Sequence, residues 1–147
     1  MHEKYLAYLL DKAKLSSPED VPIHALIVSG DDVIAESGNH REQKKTPLGH
    51  AEIDVIMQAC QKKNSWRLLD TTLYVLIEPC LMCTGTIYAA RIPQVVFGVT
   101  NPKGGALIHA QENRKKLGLN HSVELVYGYY EEEIKSMLSA FFSEKRS

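Results

Sequence analysis

The second half of the chain alternates strand and helix patterns without interruption, and that succession leaves few folds open. Residues 71–77 form a nearly continuous run of β-branched and aliphatic side chains, which predicts a strand. Pro79 is expected to open a helix that runs to Arg91, because a first-turn proline loses nothing by lacking its N–H, and Pro93 stops it. Residues 95–99 predict another buried strand, residues 110–116 a polar helix after the Asn101-Pro102-Lys103-Gly104-Gly105 loop, and residues 123–127 a last strand. Strands joined through helices pair in parallel by right-handed crossovers, with helices on both faces.

The first half supplies a helix over residues 1–15, with Leu6, Leu9 and Leu10 at helical spacing, and two strands over residues 23–28 and 33–37 around Gly30-Asp31-Asp32. A polar loop over residues 38–49 leads into a largely buried helix over residues 50–63. A closing helix over residues 131–142 begins with Glu131, Glu132 and Glu133, where the helix dipole favours acids. The expected architecture is α/β: a three-layer α/β/α sandwich on a five-stranded mixed sheet with a parallel second half, in a single domain over residues 1–147.

Composition narrows the functional classes. The 147 residues carry 17 Lys and Arg against 18 Asp and Glu, a net charge of −1, which excludes a wholly basic nucleic-acid binder and leaves only a local basic face. Hydrophobic residues make up 44%, enough for one core without covalent staples. Three cysteines are too few and too odd in number for a disulfide framework, and suit a reducing cytoplasm in which thiols serve as ligands, catalytic groups or buried apolar residues. No apolar run approaches the roughly 20 residues that span a bilayer, so a cytoplasmic protein without a membrane partner is expected.

The chemistry concentrates in two fragments, His50-Ala51-Glu52 and Pro79-Cys80-Leu81-Met82-Cys83, each at a predicted helix start. Residues two apart lie about 200° around a helix, so His50 and Glu52 converge only on a point beyond the helix end. The open edge of a parallel sheet brings consecutive helix starts to one crevice. Two thiols and an imidazole suit zinc, which binds them at about 2.0 to 2.3 Å in a tetrahedron. Three such ligands, His50, Cys80 and Cys83, leave a fourth position for water, and Glu52 is then better placed as a proton shuttle than as a ligand.

These fragments resemble the H-x-E and P-C-x-x-C signature of the zinc-dependent nucleoside and base deaminases. The flanking segments, among them Gly38-Asn39-His40-Arg41-Glu42, Ser65-Trp66-Arg67-Leu68, Glu78-Pro79, Pro102-Lys103-Gly104-Gly105, Asn120-His121 and Phe141-Phe142, make the chain most similar to the bacterial tRNA-specific adenosine deaminases. The resemblance implies a cytidine deaminase-like fold, one Zn2+ per subunit and a homodimer that binds a tRNA anticodon stem-loop. It also implies hydrolysis of the wobble adenosine to inosine with release of ammonia: zinc supplies hydroxide to C6 of the flipped-out base, and Glu52 carries protons to N1 and then to the departing amine. Asn39 matches a loop asparagine that hydrogen-bonds the target base, and Leu26 an apolar position packed near it. Departures from the family pattern are His24 in place of a glycine, Leu48-Gly49 before the histidine, and Ala106-Leu107-Ile108-His109 after Gly105.

Other readings compete. The same zinc chemistry serves deaminases of free guanine or cytosine, and a non-catalytic RNA-binding subunit could keep zinc for folding. Cys60, among apolar neighbours in mid-helix, reads as a buried apolar residue. His2, His40 and His109 read as surface residues, His121 as a hydrogen-bonding turn residue, and His24 equally as a pocket neighbour or a packed strand residue. Arg41, Lys44, Lys45, Lys103, Arg114, Lys115 and Lys116 lie on segments expected to rim the crevice, with Lys62, Lys63, Lys145 and Arg146 as further basic groups. Leu81, Met82, Ile87, Tyr88 and Ala89 read as core or as a dimer seam.

Overall fold

The structure, a computed structural model, describes residues 1–16, 18–39, 45–119 and 121–146, the last two by backbone alone. Ser17, His40, Arg41, Glu42, Lys44 and Asn120, and the side chains of Lys145 and Arg146, therefore lie outside the described residues. The chain runs α1 (His2–Ala13), β1 (His24–Ser29), β2 (Asp32–Gly38), α2 (Ala51–Lys63), β3 (Thr71–Ile77), α3 (Leu81–Ala89), β4 (Gln94–Val99), α4 (Leu107–Glu112), β5 (Glu124–Tyr127) and α5 (Glu131–Arg146). The five strands form one mixed sheet in the order β2-β1-β3-β4-β5.

Strand direction is the feature that places the site. β1 is antiparallel to both of its neighbours, β2 and β3, whereas β3, β4 and β5 are mutually parallel. Hence β2, β3, β4 and β5 all point one way and β1 alone is reversed. The carboxyl ends of four strands and the start of β1 share one edge, from which α2 and α3 set out. The β1–β2 hairpin turns at Gly30, whose φ of +63° is the left-handed conformation that glycine adopts without strain.

Alternation along the strands sorts the core into two layers. Ala25 and Ile27, Leu73 and Val75, and Val95 and Phe97 face one side, where Val55 and Ile56 of α2, Ile87 of α3 and Leu107 of α4 cover them. Leu26, Val28, Tyr74, Leu76 and Val96 face the other side, under α1 and α5. On α1 the buried residues Leu6, Leu9, Leu10 and Ala13 recur at the spacing of one helical stripe, which is why this stretch is helical and why it docks.

Helix boundaries differ from the sequence reading, most clearly in the second half of the chain, while α1 (His2–Ala13) is shorter than expected at both ends and α3 stops at Ala89 rather than Arg91. Helix α3 begins at Leu81, with Cys80 as its N-cap in extended conformation (ψ 179°), so Pro79 stands just outside rather than in the first turn. The helix expected over residues 110–116 is α4 at Leu107–Glu112, because Leu107 and Ala110 bury one turn apart while the basic segment after Glu112 winds into turns. Helix α5 continues past Phe142 to Arg146.

Gly98, in β4, marks where α5 comes closest to the sheet. A Cβ there would run into the Ile134 side chain and lie 2.8 Å from the carbonyl oxygens of Leu76 and Tyr129. Gly98→Ala is expected to cost about 1–3 kcal/mol through overpacking, read as a lower midpoint in thermal or urea unfolding with the slope unchanged.

Candidate metal centre and active-site cavity

At the shared edge the N-termini of α2 and α3 meet. His50 is the N-cap of α2 (φ −91°, ψ 142°) and Cys80 the N-cap of α3, so both side chains leave the backbone where it is still extended. His50 Nδ1 lies 3.7 Å from Cys80 Sγ and 3.5 Å from Cys83 Sγ. Their three donor atoms fall within 4.8 Å of one another, a group that could hold a metal ion. Cys83 is fully buried, and Cys80 is half-buried at the cavity.

The electrostatics follow from burial and thiol pairing. The Cys83 thiol donates to Cys80, and His50 also helps, which lowers the Cys80 thiol to about 4; Cys83, holding the proton and buried, is pushed up. Glu52, the second residue of α2, is 4% exposed. Burial, with a smaller contribution from the neighbouring Cys80, pushes its carboxyl up to about 7 against the lowering effects of a backbone hydrogen bond, His50 and Cys83.

These groups open on a cavity of about 450 Å³ whose polar lining includes Asn39, His50, Glu52, Cys80 and Asn101. His50, Glu52, Cys80 and Cys83 are thus brought together as their spacing implied. Asn39 lies beside them, and its Oδ1 accepts the Ala51 N–H at 2.8 Å, capping the first turn of α2. Leu26 does not line the cavity. It is fully buried on the α1 and α5 side of the sheet, and the apolar wall comes instead from Val21, Ile23 and Ile77. The opposite wall, Leu138 and Phe142 of α5, escaped the sequence reading, which had only the Phe141-Phe142 pair as a signal.

Of the cations expected at the rim, Lys103 lines the cavity. Lys63, one of the further basic groups, pairs with Asp70 at 2.7 Å next to the start of β3, at the far end of the sheet. Arg114, Lys115 and Lys116 follow α4 away from the edge, into the turn that leads to the beginning of β5. Leu81 is 77% exposed, while Ile87 and Tyr88 of the same helix belong to the core.

The remaining histidines and Cys60 take structural places. His2 is not a free surface group: its Nδ1 is 2.7 Å from the Tyr74 hydroxyl, with the Tyr74 and Tyr129 rings around it. His109 is exposed beside Asn113, and His121 Nε2 donates to the Ile92 carbonyl at 3.4 Å. Cys60 packs against the core.

His24 packs over Gly38, where a Cβ would come within 2.8 Å of its ring, and it does not line the cavity. Its Nδ1 is buried without a hydrogen-bond partner among the described residues. Burial lowers its pKa below the ordinary 6.5, with Glu36 opposing and Lys12 assisting. Because the folded value is depressed, the stability due to neutral His24 is complete above about pH 6.5 and is lost as pH falls through the folded value. His24→Asn is expected to flatten the loss of thermal stability between pH 7 and pH 5; an unchanged acid limb in a pH series of melts would remove His24 as its cause.

A mixed sheet with parallel carboxyl ends, carrying a His/Cys/Cys group and a buried glutamate at one edge, defines the deaminase class. The MafB19-like deaminase profile matches residues 2–146. A tRNA-specific adenosine deaminase of Bacillus subtilis (strain 168) is 41% identical over 145 residues, covering 98% of this chain and 90% of its own. A solved structure from work on A-to-I editing by tRNA:A34 deaminases at the wobble position superposes with a TM-score of 0.83 at 34% identity, over 91% of this chain and 99% of the other. The guanine deaminase of Nitrosomonas europaea shares the fold, with a TM-score of 0.77 at 18% identity over 96% and 84% of the two chains. The chain belongs to the MafB19-like deaminases, within the family of the tRNA-specific adenosine deaminases.

Proposed function

We propose that this protein, as one deaminase domain over residues 1–147, hydrolyses adenosine to inosine at the wobble position of a tRNA anticodon, releasing ammonia. The observation that carries the reading is the 41% identity to a tRNA-specific adenosine deaminase over 98% of the chain. Zinc is the metal that the donor set suits. A tetrahedral ion with bonds of about 2.1 Å to nitrogen and 2.3 Å to sulfur requires N···S edges of about 3.6 Å. The His50 distances of 3.5 and 3.7 Å match that spacing before any ion is added.

His50, Cys80 and Cys83 would hold the ion, and both thiols would bind as thiolates, Cys83 releasing the proton it shares with Cys80. Zinc bound there lowers the pKa of water to about 7 and so furnishes the nucleophile at neutral pH. Everything else falls to the chain. Glu52 takes a proton from the attacking water and delivers it to N1 of the adenine, then takes the proton of the new C6 hydroxyl and passes it to the leaving amine as C6 becomes a carbonyl. A carboxyl with a pKa near 7 accepts and returns protons with comparable ease. The Asn39 side-chain amide, its oxygen committed to Ala51, keeps its two N–H donors for the base. Val21, Ile23, Leu138 and Phe142 exclude water around the flipped-out nucleoside.

The cavity holds one nucleoside, so the rest of the stem-loop must lie outside it, near Lys103. We place the reaction in the cytoplasm, and among the described residues no helix is long and apolar enough to cross a membrane. A homodimer is part of the same reading, and the exposed Leu81 beside the metal ligands offers it an apolar contact.

Incubation with anticodon stem-loops and, separately, with free nucleobases tests the substrate, inosine being read at the wobble position and zinc by elemental analysis of the same sample. Turnover of a free base alone would overturn the RNA reading. Glu52→Gln is expected to lower kcat by about 10² to 10⁴ while leaving zinc content near one per chain. Full activity in that variant would remove Glu52 as the proton carrier. Chelation should abolish turnover, with recovery on added zinc.

A further inference from the structure

Glu78 stands between the end of β3 and the segment that carries Cys80, and it is 6% exposed. Its two carboxylate oxygens are engaged at the two ends of the 101–108 segment, the loop after β4 and the first turn of α4. Oε1 accepts the Asn101 N–H at 3.1 Å and Oε2 the Ile108 N–H at 3.0 Å. Between those two points the loop closes on itself and on the same segment: the Gly105 N–H donates to the Asn101 carbonyl at 2.8 Å, and the Ala106 N–H to the Pro79 carbonyl at 2.9 Å. Gly105 leaves no space, because a Cβ there would lie 2.6 Å from Glu78 Oε1 and 2.7 Å from the Asn101 oxygen.

That loop is one wall of the cavity, through Asn101, Lys103 and Gly104. We propose that Glu78 is a positioning residue: its carboxylate clamps the 101–108 loop to the segment bearing Cys80, which fixes the distance between that wall and the reacting centre and so sets the grip on the nucleoside. A carboxylate can accept both N–H groups at once. A glutamine cannot, since its NH2 would be turned against one of the two donors. The geometry stands by itself, whereas the kinetic consequence rests on the adenosine deamination proposed above.

Two variants approach the clamp from opposite sides, Glu78→Gln from the carboxylate and Gly105→Ala from the loop. Amide hydrogen exchange on the zinc-loaded full chain reads the clamp without reference to activity. Both variants are expected to speed exchange across residues 101–108 by about tenfold or more while α2 and α3 keep their protection and zinc content is unchanged. On the stem-loop, KM should rise about tenfold with kcat within roughly threefold of the parent, a split that a mere loss of folded protein would not give.

Unchanged exchange over residues 101–108 in Glu78→Gln would overturn the clamp, as would faster exchange with KM unaltered. A raised KM in Glu78→Gln alone, with Gly105→Ala like the parent in exchange and KM, would show Glu78 acting by direct contact and would equally overturn it. If Glu78→Gln does not fold, Gly105→Ala decides by the same two readouts. If the parent protein turns over no stem-loop, the adenosine reading fails, and the exchange measurement still decides the clamp.

Discussion

Strand direction governs everything at this site. With β1 alone reversed, the ends of β2, β3 and β4 and the beginning of β1 open on one edge. Residues far apart in sequence thereby become neighbours: Ile23 before β1, Asn39 after β2, Glu78 after β3 and Asn101 after β4. Two of the helices that leave this edge, α2 and α3, start with His50 and Cys80 at their caps. An extended cap residue projects its side chain beyond the first turn, so two such caps on one edge bring a nitrogen and a sulfur together, and Cys83 in the first turn of α3 adds the second sulfur.

The same arrangement explains why the edge is electrostatically unusual. Helix N-termini favour negative charge, which suits a Cys80 thiol lowered to about 4. Glu52 lies at the same helix ends, yet burial dominates and its carboxyl rises to about 7. One acid is driven down by the Cys83 thiol and its neighbour up by burial within a single cavity. Such a cluster gives little to stability and is understandable as equipment for moving protons.

Much of this was legible in the sequence because it depends on local pattern. The β-branched run at 71–77 is the observed β3 to the residue, and the parallel second half follows from helices lying between strands. His50, Glu52, Cys80 and Cys83 declared themselves by spacing and by their place at helix starts. What stayed hidden depends on long-range geometry. Leu26 differs from its cavity-side neighbour Ile23 by a few residues, but alternation turns it toward α1, and no local pattern says which sheet face borders the opening. The approach of Leu138 and Phe142 depends on how α5 crosses the strand ends, where its Ile134 packs against Gly98 of β4, a long-range contact that no pattern within α5 announces. Arg114, Lys115 and Lys116 read as rim residues because they follow the Pro102-Lys103-Gly104-Gly105 loop in sequence, but α4 carries the chain back along the sheet before reaching them.

Glu78 belongs to neither category. As a residue type before a proline and a cysteine it announced no chemistry, and its weight comes from two N–H groups that the fold delivers from 23 and 30 residues away. A buried carboxylate is tolerated where it is hydrogen-bonded, and here a main-chain donor engages each oxygen. The wall of the cavity and the ligand-bearing segment are therefore one mechanical unit, although different strands contribute them. The adenosine deamination proposed above would need its reacting groups held to within a fraction of an ångström and a nucleoside-binding wall at fixed distance from them. A single carboxylate that ties the two together meets both demands at once, and it explains why the loop can contain two successive glycines without giving up a defined shape.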